Sequence, residues 1–321
     1  MTQDLDGRRT FLRAGSACAL AAAVGLRAPH ANAQAPVPFS SGTAAPRLKA
    51  PPKACDSHLH IIDTRFPASP HWKGQPVEDS NVEAYRKLQA RIGTSRAVLV
   101  NPSTYGVDNG CMLDALEKMG ASARAVAVVD VDSISDAELK RMAGLGVTGV
   151  RVNFVSPQSW GTTTTARLEA TARRIADLGW HTQIYATADQ IVELEQALKR
   201  LPTPLVIDHL GRVSPVRRLE DPGYPVIRAL LDGGRTWMKL SGAYLNTKIG
   251  PPGYPDASEV ARGYAKAAPE RVVWGSDWPH RGEKEMPDDA GLLDLLLDWA
   301  PDERTRRLIL VDNPQALYRF P

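Results

Sequence analysis

Eight short apolar runs, each followed by a stretch of helical periodicity, constrain the fold of this 321-residue chain more than any other feature. The runs are Ala54–Ile62, Arg96–Val100, Ala123–Val129, Gly149–Phe154, Trp180–Tyr185, Leu205–Ile207, Thr236–Leu240 and Arg271–Trp274. They are of strand length and rich in Val and Ile, as strands buried on both faces should be. Amphipathic stretches lie between them: Val82–Ile92, Met112–Met119, Asp136–Leu145, Thr165–Leu178, Asp189–Leu201, Tyr224–Leu231 and Ser258–Ala268, with Leu292–Trp299 after the eighth run. Parallel strands need crossover helices, so this alternation predicts a parallel sheet. Eight repeats favour closure, and no Gly-x-Gly-x-x-Gly turn follows the first run, as an open dinucleotide-binding sheet would require. The expected fold is α/β: a single-domain (β/α)8 TIM barrel over residues 54–321.

The N-terminus reads as something other than fold. Arg8-Arg9-Thr10-Phe11-Leu12 precedes an alanine-rich apolar run from Ala17 to Leu26, and Ala31-Asn32-Ala33 supplies a small-x-small cleavage pattern. Residues 1–33 are therefore expected to be a twin-arginine export signal that delivers a soluble protein to the periplasm. The apolar run has about half the ~20 residues a membrane anchor needs. Residues 34–53 carry five prolines and read as an extended linker. A formal charge of +3 without a block of like sign gives no support for nucleic acid or a membrane surface as partner. Cys18 leaves with the signal, and Cys55 and Cys111 are too few for a disulfide framework, although one bridge between them stays open.

In a barrel of this type the reacting groups sit at the carboxyl ends of strands. His58 and His60, in Asp56-Ser57-His58-Leu59-His60, are two apart and should both point into the barrel mouth. His209 follows the sixth run and Asp277 the eighth. Singly, each has a plain structural reading, such as a helix cap or a loop contact. Together, at strand ends one, six and eight, they can surround one small centre.

These motifs resemble the amidohydrolase superfamily. The match is Asp-x-His-x-His after strand one, His209 after strand six and Gly275-Ser276-Asp277-Trp278-Pro279-His280 after strand eight. The resemblance is to the lactonase branch, which includes 2-pyrone-4,6-dicarboxylate lactonase and sulfomuconolactone hydrolase, and runs from about Asp56 to Tyr318. It implies a hydrolase in which Asp277 accepts a proton from the attacking water, while His58, His60 and His209 polarise the lactone carbonyl. It also implies that Arg151 clamps a substrate carboxylate, a structural ion pair being its alternative role. Ser103 and Tyr185 are further candidates to bind the ligand, as is His280, whose other reading is that it only holds its loop.

The cofactor expectation leans to none. A bridging lysine after strand four and a histidine after strand five mark binuclear members, and this chain has Arg151-Val152-Asn153 and Gln183-Ile184-Tyr185 there. His181 stands too early in its strand and is expected to be structural. If one divalent metal such as zinc is bound, its ligands are His58, His60, His209 and Asp277. The chain also lacks two arginines of the dicarboxylate lactonases, reading Ser156-Pro157 after strand four and Ala243-Tyr244-Leu245-Asn246 after strand seven, where Tyr244, like Trp160, presents aromatic surface instead. A small lactone or ester with one carboxylate, or none, fits this better, because an unpaired charge is costly to bury. The rival readings are a metal-dependent decarboxylase and a periplasmic barrel that binds a ligand without turning it over.

Overall fold

The computed structural model describes residues 36–74, 76–156 and 163–321, so the expected export signal lies outside the described residues. Eight strands form one sheet in chain order, every neighbouring pair parallel. They are β1 Cys55–Leu59, β2 Arg96–Val100, β3 Ala123–Ala127, β4 Val147–Asn153, β5 His181–Tyr185, β6 Leu205–Ile207, β7 Thr236–Leu240 and β8 Val272–Trp274. The sheet curls until its ends meet: Leu59 bridges Trp278, Asp277 N donates to His58 O at 2.8 Å, and His60 N donates to Trp278 O at 2.8 Å. The architecture is a (β/α)8 TIM barrel.

Helices α1 Val82–Ile92, α2 Gly110–Met119, α3 Asp136–Leu145, α4 Thr165–Ile175, α5 Ala188–Arg200, α6 Gly223–Asp232 and α7 Pro255–Ala267 make the seven crossovers. Their ends follow local chemistry. Asn81 accepts from Ala84 N to start α1, and Gly93 at φ +78 ends it in the left-handed region. Thr187 and Gln190 form a reciprocal capping box on α5. The stretch expected as one helix over Leu292–Trp299 is broken into α8 Asp289–Asp294 and α9 Leu296–Trp299.

Alternation along the strands divides two cores. Val98, Val100, Val126, Val206 and Val273 point inward with Cys55, where Leu317, Tyr318 and Phe320 from the C-terminal segment join them. Leu59, Leu99, Ile184, Ile207, Met238 and Leu240 face outward against the helices. Arg96 Nη2 donates to Pro321 O, and His181 at the start of β5 stacks edge-on with Tyr318, so the C-terminal segment closes the amino ends of the strands. His181 is thus a packing residue far from the mouth, as its position in the sequence implies. Cys55 and Cys111 are both buried and free.

The segment expected as a linker has no helix or strand from 36 to 53, yet it lies against the barrel. Val37 and Leu48 are buried, Trp278 Nε1 donates to Pro38 O at 2.8 Å, and the Arg91 guanidinium reaches Ser41 O at 2.9 Å and Asp288 Oδ1 at 2.6 Å.

Candidate active site

The centre begins with an irregularity in β1. Asp56 pairs in register with Ala97 but Leu59 with Leu99, so one extra residue is accommodated between them. Without that bulge Asp56, His58 and His60 would share a face. With it, Asp56 turns outward, where its Oδ2 accepts from Tyr85 Oη at 3.1 Å and Ser276 Oγ at 2.6 Å, while both histidines turn inward. Ser276 N also donates to Asp56 Oδ1 at 2.9 Å, tying the loop after β8 to β1. A side chain at Gly275 would come within 2.7 Å of the His58 backbone nitrogen, so only glycine lets the two segments close this tightly.

Asp277 and His209 both hold left-handed backbone, with φ +64 and +51. For residues other than glycine this costs about 1–3 kcal/mol and recurs where function fixes a side chain. The result is a tight cluster. Asp277 Oδ1 lies 3.6 Å from His58 Nε2, 3.5 Å from His60 Nε2 and 3.9 Å from His209 Nε2. His58 Nε2 and His60 Nε2 are 3.4 Å apart. Burial opposes ionisation of Asp277, but His209, His60 and His58 outweigh it and hold its carboxyl well below the usual carboxylate range. Burial pushes the His209 imidazole down to about 4.

Each imidazole is held from behind. His60 Nδ1 is 2.8 Å from Val100 O, and His209 Nδ1 is 2.9 Å from Ser241 Oγ. His58 Nδ1 meets two partners at once, Lys239 Nζ at 3.2 Å and Asp208 Oδ1 at 3.3 Å. Asp208 also accepts from Arg151 Nε at 2.9 Å and Gln183 Nε2 at 3.1 Å. Fixed outer partners of this kind orient metal-binding histidines. Donors 2.0–2.2 Å from a tetrahedral zinc lie roughly 3.3–3.6 Å from one another. The separations among His58, His60 and Asp277 fall on that edge length, while His209 Nε2 stands farther out, 3.9 Å from Asp277 Oδ1. His58, His60 and Asp277 have the spacing of ligands to one divalent ion, and His209 shares a second such group with His58 and Asp208.

The chain matches the amidohydrolase family model over residues 55–320. The protein is an amidohydrolase. It is 36% identical to a 4-sulfomuconolactone hydrolase of Hydrogenophaga intermedia, over 85% of this chain and 90% of that one. It is also 36% identical to a 2-pyrone-4,6-dicarboxylate hydrolase of Comamonas testosteroni, over 85% of this chain and 92% of the relative. A solved Acinetobacter baumannii structure, described as a probable 2-pyrone-4,6-dicarboxylic acid hydrolase with citric acid bound, superposes with a TM-score of 0.75 at 26% identity, covering 84% of this chain and all of that one.

In this amidohydrolase a cleft of about 380 Å3 opens above the cluster, with His60, His209, Asp277, Arg151, Tyr185 and Ser103 on its walls. Arg151 commits its Nε to Asp208 and also lines the cleft, with its guanidinium 4.9 Å above the Tyr185 ring. Ser103 Oγ accepts from Asn153 Nδ2 at 3.2 Å. Of the two roles open to His280, its contacts serve the loop. It is buried, with Nδ1 3.1 Å from Tyr244 Oη and Nε2 3.1 Å from Asp289 Oδ2, and it stands behind Tyr244 rather than in the cleft wall. Tyr244, expected as aromatic surface, instead donates its hydroxyl to Asp277 Oδ2 at 2.6 Å. Pro157 and Trp160 lie outside the described residues.

Sequence reasoning gave no site role to Asp208, read only as a helix cap, or to Gln183 and Lys239, which together form the buried polar layer beneath the histidines. One signal was available: Lys239 interrupts the apolar run Thr236–Leu240, and Gln183 interrupts His181–Tyr185, each at an inward position. A charge or amide inside a buried strand needs a partner, and here the partners are one another.

Proposed function

We propose that this amidohydrolase opens a lactone or related cyclic ester by hydrolysis, with Asp277 taking the proton of the attacking water. The observation that carries the reading is the placing of Asp277 Oδ1 within hydrogen-bonding or water-bridged reach of three imidazoles at the base of the cleft. The names of the two relatives at 36% identity support the same bond type. A water between Asp277 and the carbonyl carbon loses a proton to the carboxylate as its oxygen adds to that carbon. The ring C–O bond then breaks, and Asp277 returns the proton to the departing alkoxide. The product is a single open-chain hydroxy acid that carries both the new carboxylic acid and the released hydroxyl.

The histidines divide the remaining work. Val100 O can only accept, so His60 carries its proton on Nδ1 and turns a lone pair inward from Nε2. In its neutral ring His60 then has only a lone pair at Nε2 to offer inward, which suits a cation better than a carbonyl oxygen. His58 and His209 remain as donors to the developing oxyanion. The inward lone pair of His60 and the tetrahedral spacing favour the single-ion alternative over a metal-free centre. A divalent ion held by His58, His60 and Asp277 would, when bound, polarise the carbonyl and acidify a water.

The cleft suits a small carboxylated substrate, held by Arg151 with Ser103 and Tyr185 beside it. Tyr244 occupies the position after strand seven with its hydroxyl committed to Asp277, and the second guanidinium on the cleft wall is Arg281, from the loop after β8. We also propose that residues 1–33 are removed on twin-arginine export, leaving residues 54–321 as the periplasmic enzyme behind a proline-rich lead. N-terminal sequencing of the exported protein should begin at Gln34. The functional test is a pH-indicator screen of lactones on purified protein, run beside metal analysis and carbon dioxide detection. Acid release from a lactone supports the proposal. Carbon dioxide release without ester cleavage, or a ligand bound and returned unchanged, replaces it.

A further inference from the structure

We propose that Lys239 and Asp208 act as opposed positioning residues that set how tightly the centre around His58, His60 and Asp277 holds a divalent cation, by deciding which nitrogen of His58 carries its proton. The inference deepens the single-ion reading above and rests on it, but not on the identity of the lactone.

Lys239 projects from β7 into the barrel interior and is fully buried. Its ammonium donates to Gln183 Oε1 at 2.8 Å and points at His58 Nδ1 at 3.2 Å, with Asp208 Oδ1 3.6 Å away. Asp208, also fully buried, spends Oδ2 on Arg151 and Gln183. Its Oδ1 has no full hydrogen bond and faces His58 Nδ1 at 3.3 Å. One ring nitrogen therefore meets a donor that can never accept and an acceptor that can never donate, at nearly equal distance.

The other end of the ring decides between them. His60 turns a lone pair toward His58 Nε2 across 3.4 Å. With no ion present, two facing lone pairs are unfavourable, so His58 carries its hydrogen on Nε2 toward His60, and Nδ1 accepts from Lys239. With an ion present, His58 Nε2 must offer a lone pair, the hydrogen moves to Nδ1, and Nδ1 donates to Asp208 Oδ1. The imidazole holds one proton in both forms. Lys239 stabilises the empty form, and its charge opposes a second cation nearby. Asp208 stabilises the loaded form by both routes.

The experiment measures zinc affinity of chelator-stripped protein by competition with a chromophoric chelator, with circular dichroism to confirm folding. Outer partners of metal ligands change affinity by about 10–100-fold. Lys239→Met should therefore bind zinc at least about tenfold more tightly than the unaltered protein, and Asp208→Asn at least about tenfold more weakly. Because either variant can fail to fold, the tautomer is also read in the unaltered protein, from nitrogen-15 shifts of the His58 ring. The expected result is Nε2–H without zinc and Nδ1–H with it. Nδ1–H in both states, zinc affinity of Lys239→Met within twofold of the unaltered protein, or no zinc binding by any form overturns the proposal. Lactone hydrolysis is scored separately, so loss of the substrate reading leaves these outcomes intact.

Discussion

Tyr244 donates its hydroxyl to Asp277 Oδ2 at 2.6 Å, which leaves Oδ1 of the same carboxylate facing His58, His60 and His209. A carboxylate able to rotate would offer either oxygen to the cleft. The tyrosine removes that freedom. His280 and Asp289 extend the chain of contacts behind it.

Tyr244→Phe should therefore lower kcat more than it changes KM, because it loosens the proton acceptor without touching the substrate clamp. A hydrogen bond to a charged group contributes about 1.5–3 kcal/mol, or roughly tenfold to hundredfold in rate. Steady-state kinetics on a lactone found in the indicator screen would check this. A pure KM effect would place Tyr244 in substrate binding instead.

Arg151→Met should raise KM for carboxylated lactones well beyond its effect on neutral ones, by about tenfold or more for loss of a charge-assisted contact. The same change leaves Asp208 without its Arg151 Nε partner, so a stability loss common to all substrates accompanies it. Equal losses on both substrate types would reduce Arg151 to its ion pair with Asp208.

His280 gives a pH dependence of stability. Burial disfavours its cation, but Asp289 outweighs that, with Asp277 and Asp56 adding to it, and the folded-state pKa lies above the ordinary histidine value. A raised folded pKa means stabilisation that is complete below the unfolded value of about 6.5 and is lost as pH rises through the folded one. The melting-temperature gap between the unaltered protein and His280→Gln should be widest near pH 6 and should narrow toward pH 9. A gap independent of pH would show that the pair contributes no net charge interaction.

Much of this architecture was legible because burial on both faces leaves an unmistakable pattern. β2 and β6 coincide with Val- and Leu-rich runs, β7 fills Thr236–Leu240 as expected, and α1 fills Val82–Ile92 between two local caps. The convergence of His58, His60, His209 and Asp277 followed from strand-end positions alone. The bulge in β1 was not legible, since Asp56, His58 and His60 share a period of two and only the pairing register reveals the extra residue. The polar layer of Asp208, Gln183 and Lys239 was missed for a related reason. Its members come from three different strands, and a buried lysine declares its purpose only when its partners are seen. The break between α8 and α9 was also hidden, because Leu292 to Trp299 keeps an apolar face throughout.

The account stands on Asp277 as the proton acceptor at the base of the cleft. The most direct measurement is the rate of lactone opening by Asp277→Asn beside the unaltered protein, each loaded with the same metal and checked for the same fold. Loss of the positioned base predicts a rate at least a hundredfold lower, on the order of the general-base contribution. A rate within a few-fold of the unaltered enzyme would contradict it.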